Sequence, residues 1–263
     1  MSGHVAVLSP SEVSGLRVVE LANPGKLNAI DIAMWKRLRE TFDGWARRDP
    51  ELRVVIVRGE GGAFASGADV GEFPDFRFDP DSLRHFHEQI IAPALHALLD
   101  CDVPLVAQID GVCVGGGLEI ALCCDIRIAG RSARFGAPIG RLGFPMAPDE
   151  LDLVSRRLDP GTVAEILLEG RLLDADAAMR RGVVQRVVDD TCVAAEAVAT
   201  AERIAALAPH ALRQNKRSMR RWAQRLPFDL AWRREHFAYA GHPDHREGIA
   251  AFIERRAPRF IGS

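Results

Sequence analysis

Two short glycine-rich segments and one glutamate carry most of the chemistry in this sequence. The first segment is Phe64-Ala65-Ser66-Gly67-Ala68-Asp69. The second is Gly111-Val112-Cys113-Val114-Gly115-Gly116-Gly117-Leu118-Glu119. Each follows a strand-like run and leads into a helix start. Free backbone N–H groups at a helix start attract an anion, and the helix dipole helps them. Glycine lets a ligand approach the main chain closely. Two such N–H groups aimed at one carbonyl oxygen would form an oxyanion hole, in which losing one donor costs about 10²–10³ in rate. The same glycines would also permit tight strand–helix packing and nothing more, and spacing alone does not separate the two readings.

Glu119 lies two residues beyond the triple glycine, within the first turn of the expected helix. A carboxylate there could simply favour the positive helix end. It could also face whatever the loop binds and act as general acid or base. Its neighbours Ile120, Ala121, Leu122 and Cys123 are apolar. An ionisable group in such a run is costly to bury without a purpose, which favours the functional reading.

Other familiar devices are missing. No GxxxxGK[ST], HExxH or GxSxG is present, and the glycine triple does not complete GxGxxG because Ile120 holds the last place. His85 and His87 are two apart on an expected helix and would face different ways, a poor start for a metal site. The five cysteines show no CxxC spacing, which fits free thiols in a reducing cytoplasm better than disulfides or zinc. The start of the chain does not read as a secretory signal. The most apolar stretch, residues 103–124, is broken by Gln108, Asp110 and Glu119, which argues against a membrane span. The net charge is -2, so no global field draws the chain to nucleic acid. Charge is nevertheless uneven. Residues 196–263 carry 13 Lys+Arg against 7 Asp+Glu, whereas residues 1–195 carry 21 against 29. Solvated helix faces are the plain reading of the basic tail, with phosphate binding or a subunit contact as the sharper one.

The elements that must hold the two loops follow from periodicity. Residues 5–8, 15–21, 53–58, 104–109, 125–130, 133–136 and 183–188 read as strands. Helices are expected from 31 to 48, from 82 to 99 with a kink at Pro93, from 118 to 124, and over 148–158, 161–168 and 174–181. Residues 111–117 read as a tight loop. From 191 onward only helices are expected, at 191–207, 210–224, 228–240 and 245–256. Strands alternating with helices imply an α/β fold. We divide the chain into a core, residues 1–195, and a helical region, residues 196–263.

Five ordered pieces carry a resemblance: residues 23–34 (NPGKLNAIDIAM), 54–73 (VVIVRGEGGAFASGADVGEF), 104–130 (PLVAQIDGVCVGGGLEIALCCDIRIAG), 133–138 (ARFGAP) and 245–260 (HREGIAAFIERRAPRF). Together they resemble the crotonase superfamily, the enoyl-CoA hydratase/isomerase family. The resemblance implies a spiral of ββα units with a C-terminal helical region that builds homotrimers or dimers of trimers. It implies an acyl-CoA thioester as substrate and no metal or redox cofactor. By motif position, the amides of Ala68 and Gly116 would hold the thioester oxygen, next to Gly115. Lys26, Leu27 and Ala29 would line the CoA path, with Ala65, Ser66, Asp69 and Val70 near the adenine and pantetheine. Glu119 matches one of the two glutamates of the family's hydratases.

The chain departs from the pattern once. The second glutamate belongs just after the FGxP segment, and Ile139 stands there. Isoleucine moves no proton. Arg141, Asp149 or Glu150 could fold into the site, although Asp149 and Glu150 follow Pro148 and would also serve as dipole partners of a helix start. With Glu119 as acid/base, hydration or double-bond isomerisation comes first. Decarboxylation, thioester hydrolysis and a non-catalytic acyl-CoA binder are the alternatives. The aromatic loop Phe73-Pro74-Asp75-Phe76-Arg77-Phe78 could line an acyl pocket or pack the core.

Overall fold

Buried β-branched runs in this chain form two sheets. The computed structural model describes residues 3–11 and 13–262, so residues 1–2 and 263, the outer ends of the two expected divisions, lie outside the described residues. Its strands are β1 (His4–Leu8), β2 (Leu16–Ala22), β3 (Val54–Gly59), β4 (Leu105–Ile109), β5 (Val112–Val114), β6 (Ile126–Gly130), β7 (Arg134–Gly136), β8 (Leu173–Asp174) and β9 (Arg186–Val188). The large sheet runs β1-β2-β3-β4-β6-β9 and is parallel apart from the β1–β2 hairpin. A small sheet runs β5-β7-β8.

The ββα spiral is visible in this order. β4 lies in the large sheet, β5 in the small one, and the helix Gly116–Cys123 follows. β6, β7 and the helix Pro148–Arg157 repeat the plan. The segment expected as a tight loop thus contains β5. Its three residues are too short and too closely flanked by glycine to show a strand period.

The large sheet is covered on both faces, which is why its strands read as continuous apolar runs. Val55 and Val57 of β3 join the main core with Trp35, Phe42 and Leu98. Val54 and Ile56 point the other way, against Ala197 and Ala201. Those alanines lie on the helix Val193–Ala205, so the expected boundary at 195/196 falls inside a helix that covers the sheet.

Three expectations change in detail. The helix expected over 31–48 stops at Phe42, because Gly44 turns left-handed (φ +65°) before a single turn at Trp45–Arg48. The expected strand 183–188 forms only at its end. Before Pro93 the helix widens into a π-type turn, Phe86–Ile91, in which the Ala92 N–H donates to the His87 carbonyl. A proline ring collides with the carbonyl four residues earlier, and an added residue in the turn relieves that clash.

The basic tail is solvated in part, with Arg225, Arg233, Arg234, Arg246, Arg255 and Arg259 exposed, and docked in part. On the helix Pro209–Ala223, Lys216 is buried, donates to the Val103 carbonyl (2.7 Å) and pairs with Asp125 (2.8 Å). Arg220 pairs with Asp102 (2.7 Å) and reaches the Leu99 carbonyl (3.0 Å). Lys216, Arg217 and Arg220 clamp this helix to acidic residues of the core. Among the described residues, no helix is long and apolar enough to cross a membrane.

Candidate active site

Main-chain bonds decide where the two loops meet. The N–H groups of Phe64 and Ala65 both donate to the Val112 carbonyl (3.0 Å each), and Val114 returns a bond to the Ala65 carbonyl (3.1 Å). On the other side Ile30 donates to the Gly67 carbonyl (2.7 Å) and accepts from Asp69 (2.9 Å). Gly115 donates to the Gly136 carbonyl (2.9 Å). These bonds pass over Ala68 and Gly116. Among the described residues, nothing accepts from either amide.

A left-handed glycine precedes each of these amides, Gly67 at φ +100° and Gly115 at φ +51°. Other residues adopt that conformation only under strain. The loops touch: a Cβ built on Gly116 would stand 3.9 Å from the Ala68 nitrogen, and one built on Gly67 would stand 3.8 Å from the Gly116 nitrogen. Gly116 is also pressed against Trp35, whose Cζ2 would lie 2.8 Å from an added Cβ.

Ala68 and Gly116 open into a cavity of about 140 Å³. Glu119 lines it and is 7% exposed. Burial, and secondarily the charge of Glu150, push its carboxyl well above the usual carboxylate range. No described residue hydrogen-bonds or pairs with that carboxyl, so it is free to meet a ligand.

The second carboxylate of the cavity is Glu150, 3% exposed. It does stand in the first turn of the helix Pro148–Arg157, as the dipole reading requires. Its side chain, however, turns inward and holds His87 Nδ1 at 2.9 Å. Asp149 and Arg141 remain exposed. Ile139 lines the same cavity on the turn after Pro138. His87, a poor metal ligand by its spacing, thus lines the cavity beside Glu150. Among the described residues, no cluster of three or more His, Cys, Asp or Glu could hold a metal ion.

The aromatic loop divides its labour. Phe76 stacks on buried Phe86 (4.2 Å between ring centroids), and Phe78 is exposed. Phe73 lines the cavity. Arg77, four residues further on, lays its guanidinium 4.2 Å from the Phe73 ring and 3.7 Å from the Phe144 ring.

At the mouth, Lys26 Nζ binds Asp69 Oδ2 at 2.6 Å. Burial raises the Asp69 pKa, but its bonds to Lys26 and the Gly71 amide outweigh that and lower it. The Asp69 bond also raises the Lys26 pKa. Ser66 donates its hydroxyl to the Lys26 carbonyl (2.9 Å) and its N–H to the Leu27 carbonyl (3.0 Å). Leu27 and Val70 are 59% and 55% exposed, an apolar rim beside this pair. Ala29 and Ala65 differ from the other expected contacts. Both are buried, with N–H and carbonyl already engaged, so they shape the loops and offer little surface.

The comparisons agree with this architecture. The family model described as enoyl-CoA hydratase/isomerase matches residues 11–263. A Mycobacterium bovis protein named "Probable enoyl-CoA hydratase" is 32% identical over 246 residues, covering 92% of this chain and 93% of that one. The (E)-benzylidenesuccinyl-CoA hydratase of Thauera aromatica is 31% identical, over 93% and 95% of the two chains. The solved structure of an enoyl-CoA hydratase/carnithine racemase from Magnetospirillum magneticum superposes with a TM-score of 0.94 at 38% identity, over 98% and 96% of the chains. With one family model spanning nearly its whole length and one fold shared throughout, this chain belongs to the enoyl-CoA hydratase/isomerase family.

Proposed function

We propose that the protein is an enoyl-CoA hydratase or isomerase whose acid/base pair is Glu119 and Glu150. The observation that carries this reading is that two unengaged amides and two buried carboxyls line one small cavity. Adding water across a conjugated double bond, or removing a proton beside a thioester, places negative charge on the thioester oxygen. Donors already fixed in place stabilise that enolate without reorganising. Ala68 and Gly116 supply them.

In hydration, Glu150 takes a proton from water as the oxygen attacks the β-carbon, and Glu119, whose protonated form burial favours, gives a proton to the α-carbon. In isomerisation one carboxylate moves a proton between carbons. Burial raises the Glu119 carboxyl, which suits it to the acid's part of the pair. Lys26, Leu27, Ser66 and Val70 guide the CoA, which is part of the substrate; no separate cofactor takes part. The cavity is smaller than the roughly 300–1,000 Å³ of sites that swallow a whole drug-sized ligand, so it receives the acyl end and leaves the nucleotide outside.

Relatives named enoyl-CoA hydratase, benzylidenesuccinyl-CoA hydratase and carnitinyl-CoA dehydratase support an acyl-CoA substrate. The non-catalytic alternative has Ile139 as its best support, and the second carboxyl of the cavity, Glu150, weighs against it. The free cysteines suit a reducing cytoplasm. Trp222, Phe237, Phe252 and Ile253 on the C-terminal helices are 74%, 61%, 85% and 73% exposed, an apolar surface that a homotrimer would cover.

Assays with crotonyl-CoA and longer 2-enoyl- and 3-enoyl-CoA thioesters test the reading. Glu119→Gln should lower kcat by about 10²–10⁴ while KM changes little. Equal activity in wild type and variant would remove Glu119 from the mechanism.

A further inference from the structure

Arg77 is a charged group without a counterpart. Its side chain is half-buried and lines the cavity, and Nε is shut off from solvent. Among the described residues, no acceptor takes a hydrogen bond from its guanidinium and no carboxylate pairs with it within 4 Å. Glu150 lies near enough to be felt but gives its Oε1 to His87. Phe73 and Phe144 hold the guanidinium between them. Stacked arginines lose little freedom when their planar fork meets an anion. A half-buried cation with its Nε shut off and unpaired is otherwise left partly desolvated without compensation. Trp35 Nε1, on the same cavity, is likewise buried without a partner.

We propose that Arg77 forms an anion subsite at the acyl end of the cavity, and that the acyl group it selects ends in a carboxylate. This rests on the thioester reading given above. A carboxylate suits the fork because it accepts two parallel N–H bonds and neutralises the charge. A carbonyl or hydroxyl would satisfy donors but leave the charge. The phosphates of CoA are poor occupants, since they belong with the nucleotide outside the cavity, on the side of exposed Lys26.

Calorimetric binding of unreactive thioesters tests the subsite without any need for turnover. Succinyl-, glutaryl- and adipyl-CoA are compared with branched neutral thioesters of matching shape, in which two methyls replace the carboxylate oxygens. The wild type should bind at least one diacid thioester about tenfold to a hundredfold tighter than its neutral match. Arg77→Met should erase that preference, and Arg77→Lys, which keeps the charge but not the fork, should retain part of it. Neutral thioesters binding as tightly at all three lengths would overturn the subsite, as would Arg77→Met weakening both classes alike. Crotonyl-CoA turnover without any diacid preference would sink the subsite and leave the proposed reaction standing. A diacid preference without turnover would do the reverse, and failure to bind any acyl-CoA would sink both.

Discussion

The two walls of the cavity are made of different material. One is main chain: the amides of Ala68 and Gly116, held by bonds to Ile30, Val112 and Gly136. The other is long side chains from separate segments, Arg77, His87 and Glu150. The first wall is hard to retune by exchanging side chains, because its donors are backbone N–H groups and a Cβ at Gly116 would strike Trp35. The second can be revised one residue at a time. Under the proposed reading, Ile139 and Glu150 would be such a revision. The position after Pro138 holds Ile139, which moves no proton, and a carboxyl from the next helix occupies the cavity beside Glu119. A constant amide wall with an exchangeable side-chain wall would let one scaffold serve several acyl groups and proton transfers.

The sharpest way to break this contrast is to remove a donor. Ala68→Pro deletes an N–H that no described residue uses. It should therefore cost about 10²–10³ in kcat, while affinity for an unreactive acyl-CoA falls much less. Unchanged turnover would show that the amide wall does no chemistry. A smaller effect tests the other wall. Glu150→Gln should reduce hydratase kcat by about 10², and adding Ile139→Glu to that variant should restore part of the loss. No rescue would mean that the two positions do not reach the same substrate carbon.

The smallest effect concerns stability. The Glu119 carboxyl is raised by burial and by Glu150, so the folded chain keeps a proton that the unfolded chain releases above a pH of about 4.3. Stability therefore falls as pH rises from that point toward the elevated folded value. Glu119→Gln should raise Tm more at pH 8 than at pH 5. Each unit of elevation corresponds to about 1.4 kcal/mol, or roughly 2–4 °C in a chain of this size. An equal gain at both pH values would mean that the carboxyl is ionised in the fold.

The two walls also differ in how far the sequence revealed them. The amide wall is local. Its strand, glycine turn and helix start are contiguous, and Glu119 stands out inside an apolar run. The side-chain wall is assembled from residues 77, 87 and 150, which have no common spacing. Glu150 left one usable signal. It shares the buried face of its helix with Leu153 and Val154, three and four residues on. That period would have placed it inside instead of at a solvated helix end. His87 sits in the widened turn that Pro93 imposes, where helical spacing no longer predicts direction. The docked part of the basic tail was hidden for a related reason. Composition reports that charges are present, whereas their docking on Asp102 and Asp125 depends on tertiary contacts.

The most direct test of the central claim is a crystal structure of the protein with bound butyryl-CoA. The account predicts that the thioester oxygen lies about 2.7–3.1 Å from both the Ala68 and Gly116 nitrogens, with the Glu119 and Glu150 carboxyls facing the α- and β-carbons. A thioester oxygen bound by neither amide, or an acyl chain directed away from the two carboxyls, would contradict it.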